Sequence, residues 1–332
     1  MIRINAHSHV IPLETMGKAG KYGPELIDTP DGALVLRVGE YRSRPQRGHS
    51  LVLDERLSDP KARIDYMDAQ RIDKMIVMIS PLFYLYWAEP EIGVEFSRIQ
   101  NDALAKFCAY SPQRLYFVAT LPLQDLNAAE KELDRSVKEL GAKGISIGTD
   151  SLAGHELDDE SLWPLFEKLE KYDLPVFLHP YPLPLQTKQS DKYNLSWIAG
   201  YVHQETAGFC TLVFGGVLDR FPKLKVYLSH GGGAVPYQWG RLEYAATRMP
   251  DVKSKRPLKE YLGNFYFDLL IHDIAARRYL VEFAGSDHLI VGDNYPGWDA
   301  LNGFELVDEL NLPAQDAGKI CGGTAQKLFN LA

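Results

Sequence analysis

The sequence is poor in cysteine. Cys108, Cys210 and Cys321 are the three cysteines among 332 residues, and they are widely spaced. Such a set provides neither a disulfide framework nor the paired cysteines of a CxxC metal site. We therefore expect a protein of a reducing compartment.

Long apolar runs, a secretory leader and a basic stripe are also missing. No run reaches the ~18 apolar residues of a membrane-spanning helix, and the N-terminus lacks a basic segment followed by an apolar one. The formal net charge is −8, which argues against a nucleic-acid partner. A local cluster of arginines can still bind a small anion. We expect a cytoplasmic protein without a membrane partner.

What the sequence has is enough apolar material for a large core. Hydrophobic residues make up 45% of the chain and aromatic residues 11%. The length exceeds that of a minimal domain but suits one barrel with insertions. We find no linker that would divide the chain, and we expect a single domain over residues 1–332.

From Asp59 onward, short apolar runs alternate with helical segments. Together with the N-terminal strand at Ile2–His9 they make eight predicted strands, and strict alternation favours a parallel sheet with helical crossovers. Eight such units predict an α/β fold, a closed (β/α)8 TIM barrel. The other predicted strands are Met75–Ile79, Leu115–Thr120, Gly144–Gly148, Pro175–His179, Leu224–His230, Asn264–Asp268 and His288–Asp293. The intervening predicted helices are Lys61–Gln70, Pro90–Tyr110, Asn127–Leu140, Glu160–Lys171, Ser196–Leu218, Ala234–Thr247 and Ala275–Phe283.

Two segments fall outside the alternation. Residues 10–60 form an irregular insertion after the first strand, in which a small hairpin fits the apolar alternation at Ala33–Val38. The insertion also carries an arginine-rich stretch, Tyr41–Arg47, which is either a lid or binding loop or a solvated loop. The tail from Phe304 to Leu331 predicts C-terminal capping helices.

Histidine and aspartate stand where several predicted strands end. His7 and His9 lie two apart on the first strand and therefore share a face. His179, His230 and Asp293 each come at the end of a later apolar run. Because the active site of such a barrel lies at the C-terminal strand ends, we expect these five side chains to converge.

Three imidazoles and one carboxylate form a suitable site for one divalent ion. We therefore predict that His7, His9, His179 and Asp293 are metal ligands. His230 is either a fifth ligand or a general acid–base beside the ion. Each of these residues alone is explained as a satisfied polar group, but the set together indicates a metal-dependent enzyme.

The order of these residues and of further motifs resembles the amidohydrolase superfamily. The resemblance is to the branch typified by 2-amino-3-carboxymuconate-6-semialdehyde decarboxylase, and it extends along nearly the whole chain. The motifs are Ala6-His7-Ser8-His9, Ala62-Arg63-Ile64, Met67-Asp68-Ala69-Gln70, Pro122-Leu123-Gln124-Asp125-Leu126, His179-Pro180, Ser229-His230-Gly231-Gly232-Gly233, Gly240-Arg241, Gly292-Asp293, Tyr295-Pro296 and Ala325 with Lys327-Leu328-Phe329.

The resemblance implies roles for individual residues. The four predicted ligands match the family's metal ligands, usually for zinc and in some members for manganese, and His230 matches the catalytic histidine. Arg44 looks like the arginine that binds the substrate carboxylate, with Arg47 as a rival because the local spacing differs. Arg241 matches an arginine that reaches the neighbouring site in family dimers, which implies a homodimer.

One departure concerns the eighth strand. The family often has Gly-Ser-Asp-Tyr-Pro there, whereas this chain has Gly292-Asp293-Asn294-Tyr295-Pro296. The aspartate therefore comes one position early, which shifts either the ligand or the strand register. Asp293 is the only carboxylate at this position, so we retain it as the expected ligand and as a second catalytic residue.

The leading hypothesis is non-oxidative decarboxylation of a small aromatic, heteroaromatic or unsaturated carboxylic acid with a hydroxyl or amino substituent. Aromatic residues that follow strands, Tyr181 and Trp197 among them, can wall a flat substrate, although ordinary packing explains many such residues. A metal-bound hydroxide can instead hydrolyse a lactone or amide, or hydrate a double bond. A scaffold without turnover is a third reading, disfavoured because clustered polar groups are costly without a ligand.

Overall fold

The computed structural model describes residues 1–28, 34–39, 41–42, 54–149, 152–181, 192–295, 297 and 299–332. Arg44, Arg47 and the centre of the arginine-rich stretch lie outside this range. In chain order, the strands in the described part are β1 (Ile4–Val10), β2 (Glu25–Asp28), β3 (Leu34–Val38), β4 (Tyr41–Arg42), β5 (Lys74–Ile79), β6 (Leu115–Phe117), β7 (Ile145–Ile147), β8 (Val176–Leu178), β9 (Val226–Leu228), β10 (Phe265–Asp268) and β11 (Leu289–Ile290).

The α-helices mostly fill the intervals between barrel strands. They are α1 (Glu55–Ser58), α2 (Pro60–Ala69), α3 (Pro90–Cys108), α4 (Leu126–Lys138), α5 (Trp163–Tyr172), α6 (Leu195–Ile198), α7 (Gly200–Phe214), α8 (Val217–Arg220), α9 (Trp239–Arg248), α10 (Ile274–Ala284), α11 (Gly303–Asp308), α12 (Ala314–Gly318) and α13 (Thr324–Leu328). Aspartates begin several of them: Asp59, Asp125 and Asp273 accept hydrogen bonds from backbone amides in the first turns of α2, α4 and α10.

Eight parallel strands of the described chain form the barrel. They pair as a three-stranded sheet, β1-β5-β6, and a five-stranded sheet, β11-β10-β9-β8-β7. Isolated parallel bridges join the two sheets at both seams, Ser8 with Tyr295 and Ala119 with Ile145. The predicted (β/α)8 fold is confirmed.

The barrel interior is packed below the strand ends. Small and large apolar side chains from most of the barrel strands fill it, together with side chains of the C-terminal segment, where capping helices were predicted. The members of this inner core are Ile4, Ala6, Ile76, Met78, Val118, Phe177, Tyr227, Ile290, Ala325, Leu328, Phe329 and Leu331. Because this part of the barrel is filled, a ligand can enter only from the carboxyl ends of the strands.

The predicted insertion contains a small antiparallel sheet. Strands β2, β3 and β4 pair in that order, with Glu25 opposite Arg37 and Leu26 opposite Leu36. Leu36 and Val38 are buried against the main core. The insertion therefore covers part of the barrel mouth.

The prediction of one continuous helix over Ser196–Leu218 is wrong. The structure has three helices there, α6, α7 and α8. Gly215 and Gly216 separate α7 from α8, and Gly216 has a φ of +78°, which glycine adopts without a steric penalty. The helix predicted at Ala234–Thr247 begins later in the structure, at Trp239. The eighth predicted strand is shorter than expected and comprises Leu289–Ile290.

No helix in the described part of the chain combines the length and the apolar character needed to cross a membrane.

Candidate metal centre and active site

Four histidines meet at the carboxyl ends of the strands. His7 and His9 lie on β1, His179 directly follows β8, and His230 follows β9. The ring centroids of His7, His9 and His179 are 5.0 to 5.2 Å apart, and the His230 ring is 5.4 Å from His7. The predicted convergence of the histidines is therefore present in the structure.

A tight reversal of the backbone directs His230 into the cluster. His230 has a φ of +46°, and the three glycines that follow, Gly231 to Gly233, also have positive φ values. A side chain at Gly231 or Gly232 would come within 2.6 Å of Ile271 or Phe267, respectively. The glycine run is thus required both by backbone conformation and by the space available.

The hydrogen bonds of His7 and His179 fix which nitrogen carries the proton. His7 Nδ1 lies 2.9 Å from the Asp268 carboxylate, and His179 Nδ1 lies 2.5 Å from the Pro180 carbonyl. Both partners accept, so each Nδ1 carries hydrogen and each Nε2 presents a lone pair. The two Nε2 atoms nevertheless lie 3.1 Å apart.

Two lone pairs at this distance repel each other unless a cation lies between them. Two ligands that are each about 2.1 Å from one ion are separated by about 3.0 Å at a right angle and by about 3.4 Å at the tetrahedral angle. The 3.1 Å between the Nε2 atoms of His7 and His179 lies between these two values. His7, His179 and His230 offer ligand atoms that all lie within 4.8 Å of one another. The residues present therefore fit a divalent metal ion.

Burial keeps these ligands neutral. Desolvation, followed by neighbouring histidines, lowers the pKa of His7 and of His179 well below the usual value. Burial likewise lowers the pKa of His9 to about 4. Neutral imidazole is the form that binds a metal, so the pocket holds these rings ready at neutral pH.

His230 differs from the other three. Its Nδ1 lies 2.6 Å from Glu205 Oε1, and this oxygen also accepts a hydrogen bond from Ser229 Oγ at 2.5 Å. Burial disfavours the imidazolium, but the Glu205 carboxylate outweighs it and raises the pKa of His230 to about 9. The geometry thus supports a charged His230 beside three neutral rings, as an acid–base group would require.

Two carboxylates that the sequence analysis overlooked support this arrangement. Asp268 ends β10 and accepts hydrogen bonds from His7 and from the Gly231 amide, the latter at 3.1 Å. Asp268 ends a predicted strand, so the strand-end signal used for Asp293 also applied to it. Glu205 lies within α7 and has no local signal, because only tertiary packing brings it to His230.

The end of the last barrel strand is arranged differently from the expectation. Asp293 Oδ1 accepts hydrogen bonds from Asn5 Nδ2 at 2.6 Å and from the Tyr295 amide at 3.1 Å. The next residue, Asn294, places Oδ1 2.8 Å from His9 Nε2. Neither His9 nor Asp293 belongs to the described group of side chains whose ligand atoms lie within 4.8 Å of one another. Their ligand roles stay predictions.

A cleft that is partly open to solvent adjoins the histidine cluster. His9, His179 and Asn294 lie on its floor side, and apolar groups form most of the remaining wall. The other lining residues among those described are Ile11, Leu36, Leu57, Ser80, Pro81, Leu82, Trp197, Tyr201 and Gly297.

The predicted substrate-binding residues are distributed unevenly. Trp197 lines the cleft and stacks on Tyr201, with ring centroids 5.4 Å apart. Tyr181 is buried beside Tyr84 and Tyr86. It is not one of the described residues that line the cleft. Arg241 is exposed near the start of α9.

The chain is similar to known proteins along most of its length. The family described as Amidohydrolase matches residues 4–331. The chain is 31% identical over 303 residues to the 2-amino-3-carboxymuconate-6-semialdehyde decarboxylase of Dictyostelium discoideum, covering 89% of this chain and 82% of that protein. It is 30% identical over 291 residues to the gamma-resorcylate decarboxylase of a Polaromonas species, covering 81% and 86% of the two chains.

The fold is also shared with solved structures. The 5-carboxyvanillate decarboxylase of Novosphingobium aromaticivorans, described with bound manganese and a nitrobenzoic acid, has a TM-score of 0.84 and 25% identity. The match covers 99% of this chain and 97% of that one.

Proposed function

Since the chain belongs to the amidohydrolase family, we propose that it is a metal-dependent carboxy-lyase. Its substrate is a small aromatic, heteroaromatic or unsaturated carboxylic acid with a hydroxyl or amino substituent. The observation that carries this proposal is the pair of Nε2 lone pairs of His7 and His179, 3.1 Å apart in a buried site. The similar proteins named as decarboxylases support the choice of reaction.

One divalent ion per subunit would complete the site. His7, His9 and His179 would hold it, together with an oxygen ligand from the segment that follows β11. We propose zinc first, because imidazole suits it, and manganese as the alternative, because a similar structure is described with that metal. When bound, the ion acts as a Lewis acid that stabilises negative charge on a substrate oxygen.

The proton is handled by His230. Loss of CO₂ breaks a carbon–carbon bond and leaves the electron pair on the substrate carbon. His230, kept charged by Glu205, donates its Nε2 proton to that carbon and recovers a proton from solvent in the next cycle. The net change is replacement of the carboxylate by hydrogen, with one proton consumed and one CO₂ released.

The cleft walls position a flat substrate. Trp197 and Tyr201 offer a stacked aromatic surface, and Leu36, Leu57 and Leu82 supply apolar contacts from the insertion and the rim. These groups also exclude water, which strengthens electrostatic interactions with the reacting carboxylate.

Further elements of the proposal rest on the family resemblance. Arg44 or Arg47 would bind the substrate carboxylate through a two-pronged guanidinium contact. Arg241 would reach the neighbouring subunit's site in a homodimer, and its exposure in the single chain is compatible with that role. We propose a cytoplasmic location.

The test is direct measurement of CO₂. The protein, purified without metal and reloaded with Zn²⁺ or Mn²⁺, is incubated with a panel of hydroxy- and amino-substituted aromatic acids. The proposal predicts CO₂ release from at least one acid, dependent on added metal. Cleavage of lactones or amides, or hydration of a double bond, without CO₂ release from any acid would replace the lyase by a hydrolase or hydratase.

A further inference from the structure

Asp293 and Asn294 are neighbours that do different work at the end of the last barrel strand. Asp293 is 2% exposed, and its Oδ1 accepts from Asn5 Nδ2 and from the Tyr295 amide. Asn5 lies on β1, so the carboxylate ties the first and last strands of the barrel together. Asp293 therefore helps to close the barrel between its first and last strands.

Asn294 faces the cleft instead. A φ of +51° turns the backbone at this residue, and the side chain becomes part of the cleft lining beside His9 and His179. Its Nδ2 donates to Asp299 Oδ1 at 2.6 Å. A carboxylate accepts hydrogen bonds only, so this contact fixes the amide orientation and holds Oδ1 toward His9.

The Asn294 oxygen lies beside His9 on the histidine side of the cleft. It is 2.8 Å from His9 Nε2, which is a hydrogen-bond distance and slightly shorter than the roughly 3 Å between two ligands at a right angle around one ion. The two atoms are therefore close enough to face a common ion. With the His9 proton on Nδ1, both Nε2 and Asn294 Oδ1 would present lone pairs to that ion.

We propose that the Asn294 carboxamide, and not the Asp293 carboxylate, is the oxygen ligand of the metal centre. This inference rests on the metal dependence of the proposed function. It assigns Asp293 to barrel closure and Asp299 to positioning, since Asp299 orients the amide.

An amide ligand in place of a carboxylate ligand changes the net charge of the metal centre. Three neutral imidazoles and a neutral amide leave the full double positive charge on the ion. The balancing carboxylates, Asp268, Glu205 and Asp299, act through His7, His230 and Asn294 rather than on the metal. A ligand set without a carboxylate favours an imidazole-binding ion such as zinc over manganese, and it favours an anionic, chelating substrate.

Isosteric exchange of the two neighbours tests the assignment. The full-length protein and the variants D293N, N294D and N294G are stripped of metal, and the affinities for Zn²⁺ and Mn²⁺ are measured by chelator competition. Glycine is chosen at 294 because it adopts the positive φ without strain. Bound Co²⁺ is followed in parallel by its visible absorption, which reports the ligand set.

The two positions should respond differently. N294G should lose about tenfold or more in Zn²⁺ affinity, and N294D should gain affinity, more for Mn²⁺ than for Zn²⁺, with a changed Co²⁺ spectrum. D293N should keep the wild-type metal affinities within a factor of about two, with a lower melting temperature.

The opposite pattern would overturn the assignment. If D293N loses the metal while N294G retains it, Asp293 is the ligand. Failure of the unmodified protein to bind either ion would instead reject the proposed function itself, so the two failures are distinguishable. Circular dichroism identifies any variant that does not fold. If D293N does not fold, N294G and N294D decide the outcome, because unchanged metal affinities in both would reject Asn294 as the ligand.

Discussion

At the scale of single residues, the His7 imidazole shows how the centre is prepared. One ring nitrogen is held by a buried carboxylate, Asp268, and the other faces His179. The carboxylate fixes the tautomer and increases the basicity of the ligand nitrogen. Metal binding at this site therefore depends on a residue that does not contact the ion.

Replacing Asp268 by asparagine tests that dependence. An amide can present its NH₂ group to His7 Nδ1, which would move the ring proton to Nε2 and block the ligand atom. We expect D268N to lose about tenfold to a hundredfold in metal affinity, measured by chelator competition. The control is D273N at the start of α10, where asparagine also caps a helix well and the affinity should not change.

Replacing Glu205 by glutamine tests the proton donor. Glu205 raises the pKa of His230, so the imidazolium persists until the pH rises through that value and is then lost. Without the carboxylate the pKa falls, and the basic limb of kcat/KM against pH should move to lower pH in E205Q. The exposed substitution E243Q on α9 is the control. If the basic limb of the E205Q profile is unchanged, His230 is not the group that transfers the proton in the rate-limiting step.

The sequence revealed these residues to different degrees. His7, His9, His179 and His230 stand at the ends of apolar runs, so the barrel topology alone brings them together. Asp268 carries the same signal and was accessible to the same reasoning. Glu205 was not, because a glutamate within a helix gives no indication of its tertiary neighbours. The side chains of Asp293 and Asn294 point in different directions because Asn294 has a positive φ angle. The apolar pattern of a strand does not encode that angle.

At the scale of elements, α2 holds the end of β1 in place. Arg63 is fully buried and donates hydrogen bonds from Nη2 to the carbonyls of His9 and Arg56, at 2.7 and 2.6 Å, and from Nη1 to Ser8 Oγ. The guanidinium thereby fixes the strand end that carries two of the metal ligands. Burial lowers the pKa of the Arg63 guanidinium to about 10, and the electrostatic attraction of Asp293 opposes this shift.

Replacing Arg63 by methionine should therefore weaken both the fold and the site. The substitution removes the donors and leaves buried carbonyls unpaired, so we expect the free energy of unfolding to fall by about 3 kcal/mol or more. Urea unfolding of the metal-free variant measures this loss. K61M, on the exposed face of the same helix, should leave the unfolding midpoint unchanged. Equal effects of the two substitutions would contradict the role given to Arg63.

Element boundaries show where sequence reasoning stops. The buried strands were recognisable because runs such as Met75–Ile79 are short and rich in branched residues. The helix predicted at Ser196–Leu218 is interrupted at Gly215 and Gly216, although its apolar pattern continues through the break. A periodic pattern reports which side is buried, whereas local backbone conformation decides where the helix stops.

At the scale of the whole molecule, the site depends on barrel closure. The four histidines lie on β1 and directly after β8 and β9, and the bridge between Ser8 and Tyr295 brings the first and last of the barrel strands together. With the proposed ligands, an ion held by residues of β1 and by those that follow β8 and β11 would link strands across the barrel. Binding to the folded state alone must stabilise it.

Metal should therefore raise the stability of the whole chain. At a free ion concentration of 100 times Kd, the free energy of unfolding should increase by about 2.7 kcal/mol. Thermal unfolding with and without a chelator measures this change, and readdition of Zn²⁺ should restore the higher melting temperature. H179A should unfold at the same temperature in both conditions. If the melting temperature of the unmodified protein is the same with and without metal, the ion does not bind between the strands of the barrel.

The central claim, that the histidines at the strand ends bind one divalent ion, is tested most directly by titrating the metal-free protein with Co²⁺ and recording the visible absorption. The account predicts saturation at one equivalent per chain, with bands typical of nitrogen and oxygen ligands, and loss of this binding in H179A. Absence of saturable binding in the unmodified protein, or the same titration curve for H179A, would contradict it.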